Sequence, residues 1–438
     1  YRCLDNDMWG WQIAGCFEGQ GRQRAARRCA GSAEDEDQMA QRPDDDAMAT
    51  PESRGEDPLA MQDLQGIYDL YGQLRGCPIR HSNAQGGFHW LTRYKDVRDA
   101  ALDFRHFSSA LKGVRLPAHL DTGRLPAIEM DPPEHGFWRS LYMEAITPAR
   151  LKAVAPRLEA IADSVIDRFA AKGECDLVKE FARPLPVLGL CETIGMTGVS
   201  VERIHELADR FTTTSGADQG AVMQQIGATV IDEINARRAQ PLDDYLTRIA
   251  HVEIEGRPMS DGDIATFMTG FFVAGHETTT SALGTLLLHA LPSADLRARM
   301  LADDKVMTAA IEEAVRLSSP FQAFHRTTVE PVDFGDVTIA ADQTVRLCYG
   351  SANRDPEIFD KPEAFNPDRP FNTHLGFGFG RHVCLGAPLA RLEIKTAFRR
   401  LLDRLPDIQL VEPRPDYIVQ LGTLITPKSC RVSFSPKA

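Results

Sequence analysis

What this 438-residue chain lacks narrows its function before any motif is considered. Its nine cysteines, at 3, 16, 29, 77, 175, 191, 348, 384 and 430, are odd in number, scattered and without a CxxC pair. That argues against a disulfide framework or a structural zinc site and for a reducing compartment. No run of about 18 uncharged apolar residues occurs, so no membrane span is expected; the nearest candidate, 264–275, is broken by His276 and Glu277. The N-terminus also lacks the basic, apolar, small-residue order of a secretory signal. The chain therefore reads as soluble and cytoplasmic. A basic excess is missing too: the net charge of -13 argues against a nucleic-acid partner. Nearly half of that charge is local, because residues 1–57 hold seven Arg and thirteen acidic residues, a balance of -6.

What is present divides unevenly. Residues 1–56 carry charge blocks (Arg22, Arg24, Arg27 and Arg28, then 34–37 and 44–46) and little apolar periodicity. Such a segment reads as disordered and solvated, or as an interaction tail. Met48-Ala49-Thr50-Pro51 would make an ordinary start, so a third reading takes 1–47 as non-native upstream sequence. An intact mass of the natively expressed protein that included it would refute that. From Asp57 the pattern is globular, and with 43% apolar and 25% charged residues overall a large core is available. Residues 88–91 read as a strand, 94–102 as an amphipathic helix and 108–126 as a long Gly/Pro-interrupted connection. Residues 151–250 are helix-rich without a catalytic constellation.

The organising stretch is Phe377-Gly378-Phe379-Gly380-Arg381-His382-Val383-Cys384-Leu385-Gly386. Glycines at 376, 378 and 380 permit tight turns and close backbone approach. Pro388 and the apolar period through Leu401 predict a helix starting just after Cys384. Amides at that helix start are expected to lower the thiol pKa from about 8.5 and favour a thiolate, a ligand for a soft metal or a haem iron. Upstream, Ser260 and Asp263 fit a capping box for a long apolar helix over 261–291. Its middle, Ala274-Gly275-His276-Glu277-Thr278-Thr279, is poor helix-interior chemistry, which predicts a locally opened helix able to hold water or a diatomic molecule. His135 and Arg139 fall one turn apart, where two donors can hold a carboxylate. Glu313 and Arg316 can pair inside an apolar helix, 304–319.

Together these segments resemble the cytochrome P-450 family over about residues 57–438. FGFGRHVCLG matches its cysteine-ligand loop, and His135-x-x-x-Arg139, Ala274-Gly275-His276-Glu277-Thr278 and Glu313-x-x-Arg316 stand in the family's order. The resemblance implies one mainly α domain with a smaller β-rich portion, enclosing haem b between the long helix and the loop. Cys384 is then the iron ligand. His135, Arg139, Ala274, Arg326, Phe377, Gly378, His382 and Gly386 are cofactor-binding, with His135, Arg139 and Arg326 on the propionates. Thr278 and Glu277 would serve oxygen activation, the first by organising water and the second by linking it to a proton source. Glu313, Arg316 and Arg369 would form a structural triad. Asp342 departs from the family's usual turn glycine, which predicts a modified turn before the strand at 344–347, itself expected to pair with 334–340.

The implied reaction is hydroxylation of an unactivated carbon with one atom of dioxygen. Electrons would come from NAD(P)H through a reductase and a ferredoxin, since no flavin or nicotinamide domain is visible. The alternatives are a peroxide-driven or non-oxidative haem-thiolate enzyme, or a haem-binding sensor. Met268, Phe271, Phe272, Phe321, Phe324 and Leu424 are pocket candidates by analogy, each equally acceptable as core; so aromatic a lining favours a small hydrophobic substrate such as a terpenoid or small aromatic. Arg391, Lys395, Arg399 and Arg400 make a basic stripe, either a solvated helix face or a docking patch for an acidic donor. A monomer is expected.

Overall fold

The computed structural model describes residues 57, 63–77, 79–114, 124–196, 201–204, 206–207, 210, 217–411, 416–420 and 423–436. The chain divides into two units, Tyr1–Ala47 and Met48–Ala438, and the described residues all belong to the second. The expectations for residues 1–56 and for the middle of the 108–126 connection fall outside the described residues.

Helices dominate, with short strands between them. The order runs α1 (Leu64–Leu74), β1 (Arg80–Ser82), β2 (Phe88–Leu91), α2 (Tyr94–Leu102), β3 (Phe107–Ser108), α3 (Glu134–Ala145), α4 (Pro148–Asp167), β4 (Glu174–Asp176), α5 (Pro184–Ile194), α6 (Ala217–Ala239) and α7 (Tyr245–Ala250). It continues through β5 (Glu253–Ile254), β6 (Arg257–Pro258), α8 (Asp261–Gly275), α9 (Glu277–Ala290), α10 (Ala294–Ala302), α11 (Asp304–Ser318), β7 (Phe324–Thr328), β8 (Val332–Phe334), β9 (Val337–Ile339) and β10 (Thr344–Leu347). Last come α12 (Tyr349–Ala352), α13 (Ala387–Arg404), β11 (Gln409–Leu410), β12 (Tyr417–Gln420), β13 (Leu424–Pro427) and β14 (Arg431–Ser433).

Local chemistry sets the ends. Asp63, Ser260 and Asp303 each accept backbone N–H bonds at the starts of α1, α8 and α11, satisfying donors that a helix leaves open. The main sheet has strand order β1-β2-β10-β7-β3, antiparallel except for β10 beside β2. Residues 334–340 do not pair with 344–347 as expected. Val332–Phe334 and Val337–Ile339 close on each other as a hairpin through Gly335 at φ 70°, while β10 pairs with β7 and β2. The modified turn is present: Asp342 sits at φ 60°, and its N–H donates to Thr328 O.

Two apolar clusters form most of the core. One joins α4, α5, α9, α11 and α13; the other joins α3 to α8. The first has a buried acid beside it. The Glu393 carboxyl on α13 reaches Leu158, Ile161, Ala162 and Leu185 beside a cavity of about 10 Å³, and its Oε1 has no hydrogen-bond partner. Gly189 on α5 leaves it room, since a Cβ there would stand 2.4 Å from that oxygen. Burial pushes the Glu393 pKa well above the ordinary 4.5. The folded state thus keeps a proton that the unfolded chain has lost, and stability falls as pH rises from about 4.5 until the folded-state value is passed. Glu393→Gln is expected to remove that slope and to gain about 1.4 kcal/mol on the wild type per pH unit within the window. Urea midpoints from mildly acidic to neutral pH read it directly, and parallel slopes for the two proteins would refute it.

Candidate active site

The cysteine loop is shaped by backbone contacts. Gly378 and Gly380 adopt φ 72° and 70°, a left-handed conformation that glycine enters without strain. At Gly380 close approach is a second requirement, because a Cβ would lie 2.6 Å from Ala101 O at the end of α2. The Cys384 N–H donates to Phe377 O at 2.7 Å, closing the turn that aims the thiol.

Cys384 is exposed, whereas Cys175, Cys191, Cys348 and Cys430 are buried. Its thiol is nevertheless crowded by protein, and burial raises its pKa. The N–H groups of Gly386 and Ala387 and the charges of Arg139 and Arg391 act in the opposite direction, but burial outweighs them. The expected lowering is therefore corrected: the helix start supplies what was anticipated, and desolvation, which the sequence does not display, is larger.

The long helix is broken where its composition suggested. α8 ends at Gly275, His276 takes φ -80° and ψ -76°, and α9 begins at Glu277. Thr278 Oγ1 donates to Ala274 O at 2.7 Å, a bond that favours bending. Ala274 is exposed and Thr278 half-buried, although Phe272, His276, Glu277 and Thr279 beside them are buried. Glu277 lies 3.7 Å from the Arg183 guanidinium, and His276 Nε2 is 3.2 Å from Arg183 O, so the start of α5 holds the break.

A third group gathers donors. His135 on α3 is 3% exposed, with Nε2 buried and unpartnered, and its ring lies 4.6 Å from that of His382. Burial, then Arg139 and Arg381, lowers the His135 pKa. His382 is pushed down to about 3 by burial and by Arg326, His135 and Arg139, so both rings are neutral. His382 Nε2 stands 3.1 Å from Ser109 Oγ, a contact that spacing did not suggest. Arg139 donates to Val383 O at 2.9 Å. Arg326 on β7 is 4% exposed and donates to the backbone of His325 at 2.7 Å. Burial works against its charge, and the Asp131 carboxylate offsets that only in part. The unpartnered His135 nitrogen and the buried Arg326 cation thus fit a ligand bearing carboxylates, as haem does with its propionates.

Behind the loop, Glu313 and Arg316 are 0% exposed and form a two-pronged ion pair, both contacts 2.8 Å; Arg369 Nε adds a third at 2.9 Å. Asn366 N–H and Asn372 Nδ2 also donate to Glu313, and Arg316 donates to the carbonyls of Asn353, Pro362 and Ala364. Burial would raise the Glu313 pKa, but these donors hold it below the ordinary value. The network ties α11 to the segment leading into the loop.

Two expectations change. Met268 and Phe272 are 0% and 2% exposed within the α3–α8 core, so they do not face a recess, and Phe271 packs in a T shape on Tyr142. Phe321, Phe324 and Leu424 do come together, half-buried: the two rings lie 4.8 Å apart and Phe321 bridges to Leu424. Strand alternation puts Phe324 on the face of β7 that carries Arg326. The basic stripe is not free charge. Arg391 pairs with Glu312, Lys395 and Arg399 with Asp304, and Arg400 with Asp163. These carboxylates lie far away in sequence, beyond the reach of a spacing argument.

Comparison with known proteins agrees with this arrangement. The family model described as cytochrome P450 matches residues 220–434. Cytochrome P450 107B1 of Saccharopolyspora erythraea is 33% identical over 377 residues, 82% of this chain and 93% of the relative. Mycinamicin IV hydroxylase/epoxidase of Micromonospora griseorubida is 35% identical over 367 residues, 81% and 92% of the two chains. The solved structure of CYP108D1 from Novosphingobium aromaticivorans superposes with a TM-score of 0.77 at 26% identity, covering 88% of this chain and 98% of its own. With a thiol at the mouth of a glycine-shaped loop, a broken helix and a donor-lined cradle behind it, the chain belongs to the cytochrome P450 family, as a haem monooxygenase of the bacterial kind.

Proposed function

We propose that residues 57–438 form one haem domain that inserts an atom of dioxygen into a hydrophobic substrate, with electrons from NAD(P)H delivered through a reductase and a ferredoxin. The observation that carries this reading is the accessible pair Ala274 and Thr278 at the helix break, flanked by the buried Phe272, His276, Glu277 and Thr279. Cys384 would hold the haem iron, which when bound would supply dioxygen binding, and its thiolate would donate the electron density that favours O–O cleavage. His135, Arg139 and Arg326 would hold its propionates, while Gly378 and Gly386 let backbone lie close to it. Thr278 Oγ would position a water beside the break, and the neighbouring Glu277, held by the Arg183 guanidinium, would hand a proton on to that water. Phe321, Phe324 and Leu424 offer an apolar face to the substrate and exclude bulk water.

Relatives are named for acting on mycinamicin IV, on a steroid and on vitamin D(3). Steroid-like molecules therefore join terpenoids and small aromatics in the first screen. In this reading the donor docks over the cysteine loop, and what supports it is that Leu102, Phe379 and Val383 are exposed there and the Arg381 guanidinium lies 4.1 Å above the Phe104 ring. No helix among the described residues is long and apolar enough to cross a membrane.

The test is turnover of a screened substrate under labelled dioxygen with ferredoxin, reductase and NAD(P)H. One labelled oxygen atom is expected per product. Thr278→Ala is expected to lower product per NAD(P)H by about tenfold or more while cofactor oxidation continues, a loss below the roughly 10²–10⁴-fold of a direct proton-transfer group because Thr278 acts through water. Product formed with peroxide but not with ferredoxin, reductase and NAD(P)H, or an unchanged ratio in the variant, would overturn the reading.

A further inference from the structure

A cluster of charge behind the cysteine loop has no part in the function so far. Arg391, on the second turn of α13, donates Nε and Nη2 to Glu312 Oε1 and Oε2 at 2.6 and 2.7 Å. The same carboxylate takes His374 Nε2 at 3.0 Å. His374 Nδ1 accepts the Gly376 N–H at 3.1 Å, which leaves the ring proton on Nε2, directed at Glu312. The Arg391 guanidinium lies 4.4 Å from the centre of the Phe377 ring, and Phe377 O accepts the Cys384 N–H at 2.7 Å. Burial alone would raise the Glu312 pKa, yet Arg391 and His374 bring it down to about 2, so it is an anion at any working pH.

We infer that Glu312 and His374 are positioning residues that hold Arg391 against Phe377 and partly cancel its charge, and so set the reduction potential of the iron that Cys384 holds. The inference rests on the haem-thiolate reading above. Its physical basis is the sign of the field. Reduction of the iron adds an electron beside the thiolate, so nearby positive charge favours the reduced form and nearby negative charge the oxidised form. Both charges of the pair lie on the cysteine side of the loop, where Arg391 and the thiol act on each other. A two-pronged Arg–carboxylate contact fixes the geometry, and a planar guanidinium can stack where an ammonium cannot.

Redox titration of the purified holoenzyme tests this through opposite shifts. Glu312→Gln keeps shape and an acceptor but leaves Arg391 uncompensated, so the potential is expected to rise. Arg391→Gln leaves Glu312 uncompensated, so it is expected to fall. Each shift should change the ferrous to ferric ratio at a fixed poise by about threefold or more, where tenfold corresponds to ~59 mV for one electron. Arg391→Lys, which restores the charge, should lie between Arg391→Gln and the wild type. If Glu312→Gln does not accumulate, the two Arg391 variants decide alone. Shifts of the same sign, or none, in variants whose reduced carbon-monoxide spectra match the wild type would overturn the inference. A wild-type spectrum without thiolate ligation would instead overturn the reading on which it rests.

Discussion

Cys384→Ala is expected to abolish the strongly red-shifted Soret band of the reduced carbon-monoxide complex, the largest effect of any single substitution in this chain. The argument is one of access. Among the described residues only Cys384 is an exposed thiol; Cys77 is half-buried and the other four are buried. Burial pushes Cys191, Cys348 and Cys430 up to about 12, so none supplies a replacement thiolate. His382 is close in sequence but turned toward Ser109. The variant should retain some haem through His135, Arg139 and Arg326, giving a pigment without the thiolate band. Cys430→Ser is the matching control and should keep it. A red-shifted band that survived Cys384→Ala would remove the assignment of the ligand.

Glu313→Gln is expected to destabilise the protein by about 3 to 5 kcal/mol, the cost of taking one partner from a buried ion pair. Such a loss is a large share of the ~5–15 kcal/mol that ordinarily separates folded from unfolded protein. Glutamine is nearly isosteric, so packing is preserved and the change isolates charge. It leaves Arg316 at 0% exposure and Arg369 beside it facing a neutral amide. One amide group must also present N–H donors where Glu313 presents two acceptors to Asn366 N–H, Asn372 and both arginines. The comparison is Glu363→Gln: that carboxylate is 63% exposed opposite Arg354, and solvent screening limits its loss to about 1 kcal/mol or less. Urea midpoints and haem retained on gel filtration measure both. Equal losses for the two variants would show that the Glu313 pair is not held as described.

Much of this was legible in the sequence for a definite reason. Apolar period and end chemistry belong to neighbouring residues, so α2, α11, α13 and the break at His276 could be read from the chain. The cysteine loop was legible because glycine at 378 and 380 has few uses other than positive φ and close approach. What escaped depends on which surfaces meet. Strand β10 finds β2 and β7 rather than the adjacent hairpin, and no local pattern carries that choice. Arg400 meets Asp163, 237 residues away, so its charge looked free. Met268 and Phe272 share the apolar character of pocket residues, and only burial separates core from lining. Glu312 was overshadowed by Glu313, its neighbour in a recognisable triplet, although one turns toward Arg391 and the other toward Arg316.

The contact between Gly189 and Glu393 also constrains how this sequence can drift. A methyl group at 189 would meet the acid at 2.4 Å and Leu158 Cδ2 at 3.0 Å, so 189 can enlarge only where the Glu393 side chain turns aside or is shortened. Position 393 can shorten alone, whereas 189 cannot grow alone. A shorter residue at 393 is therefore expected to open substitutions at 189 that the present sequence resists.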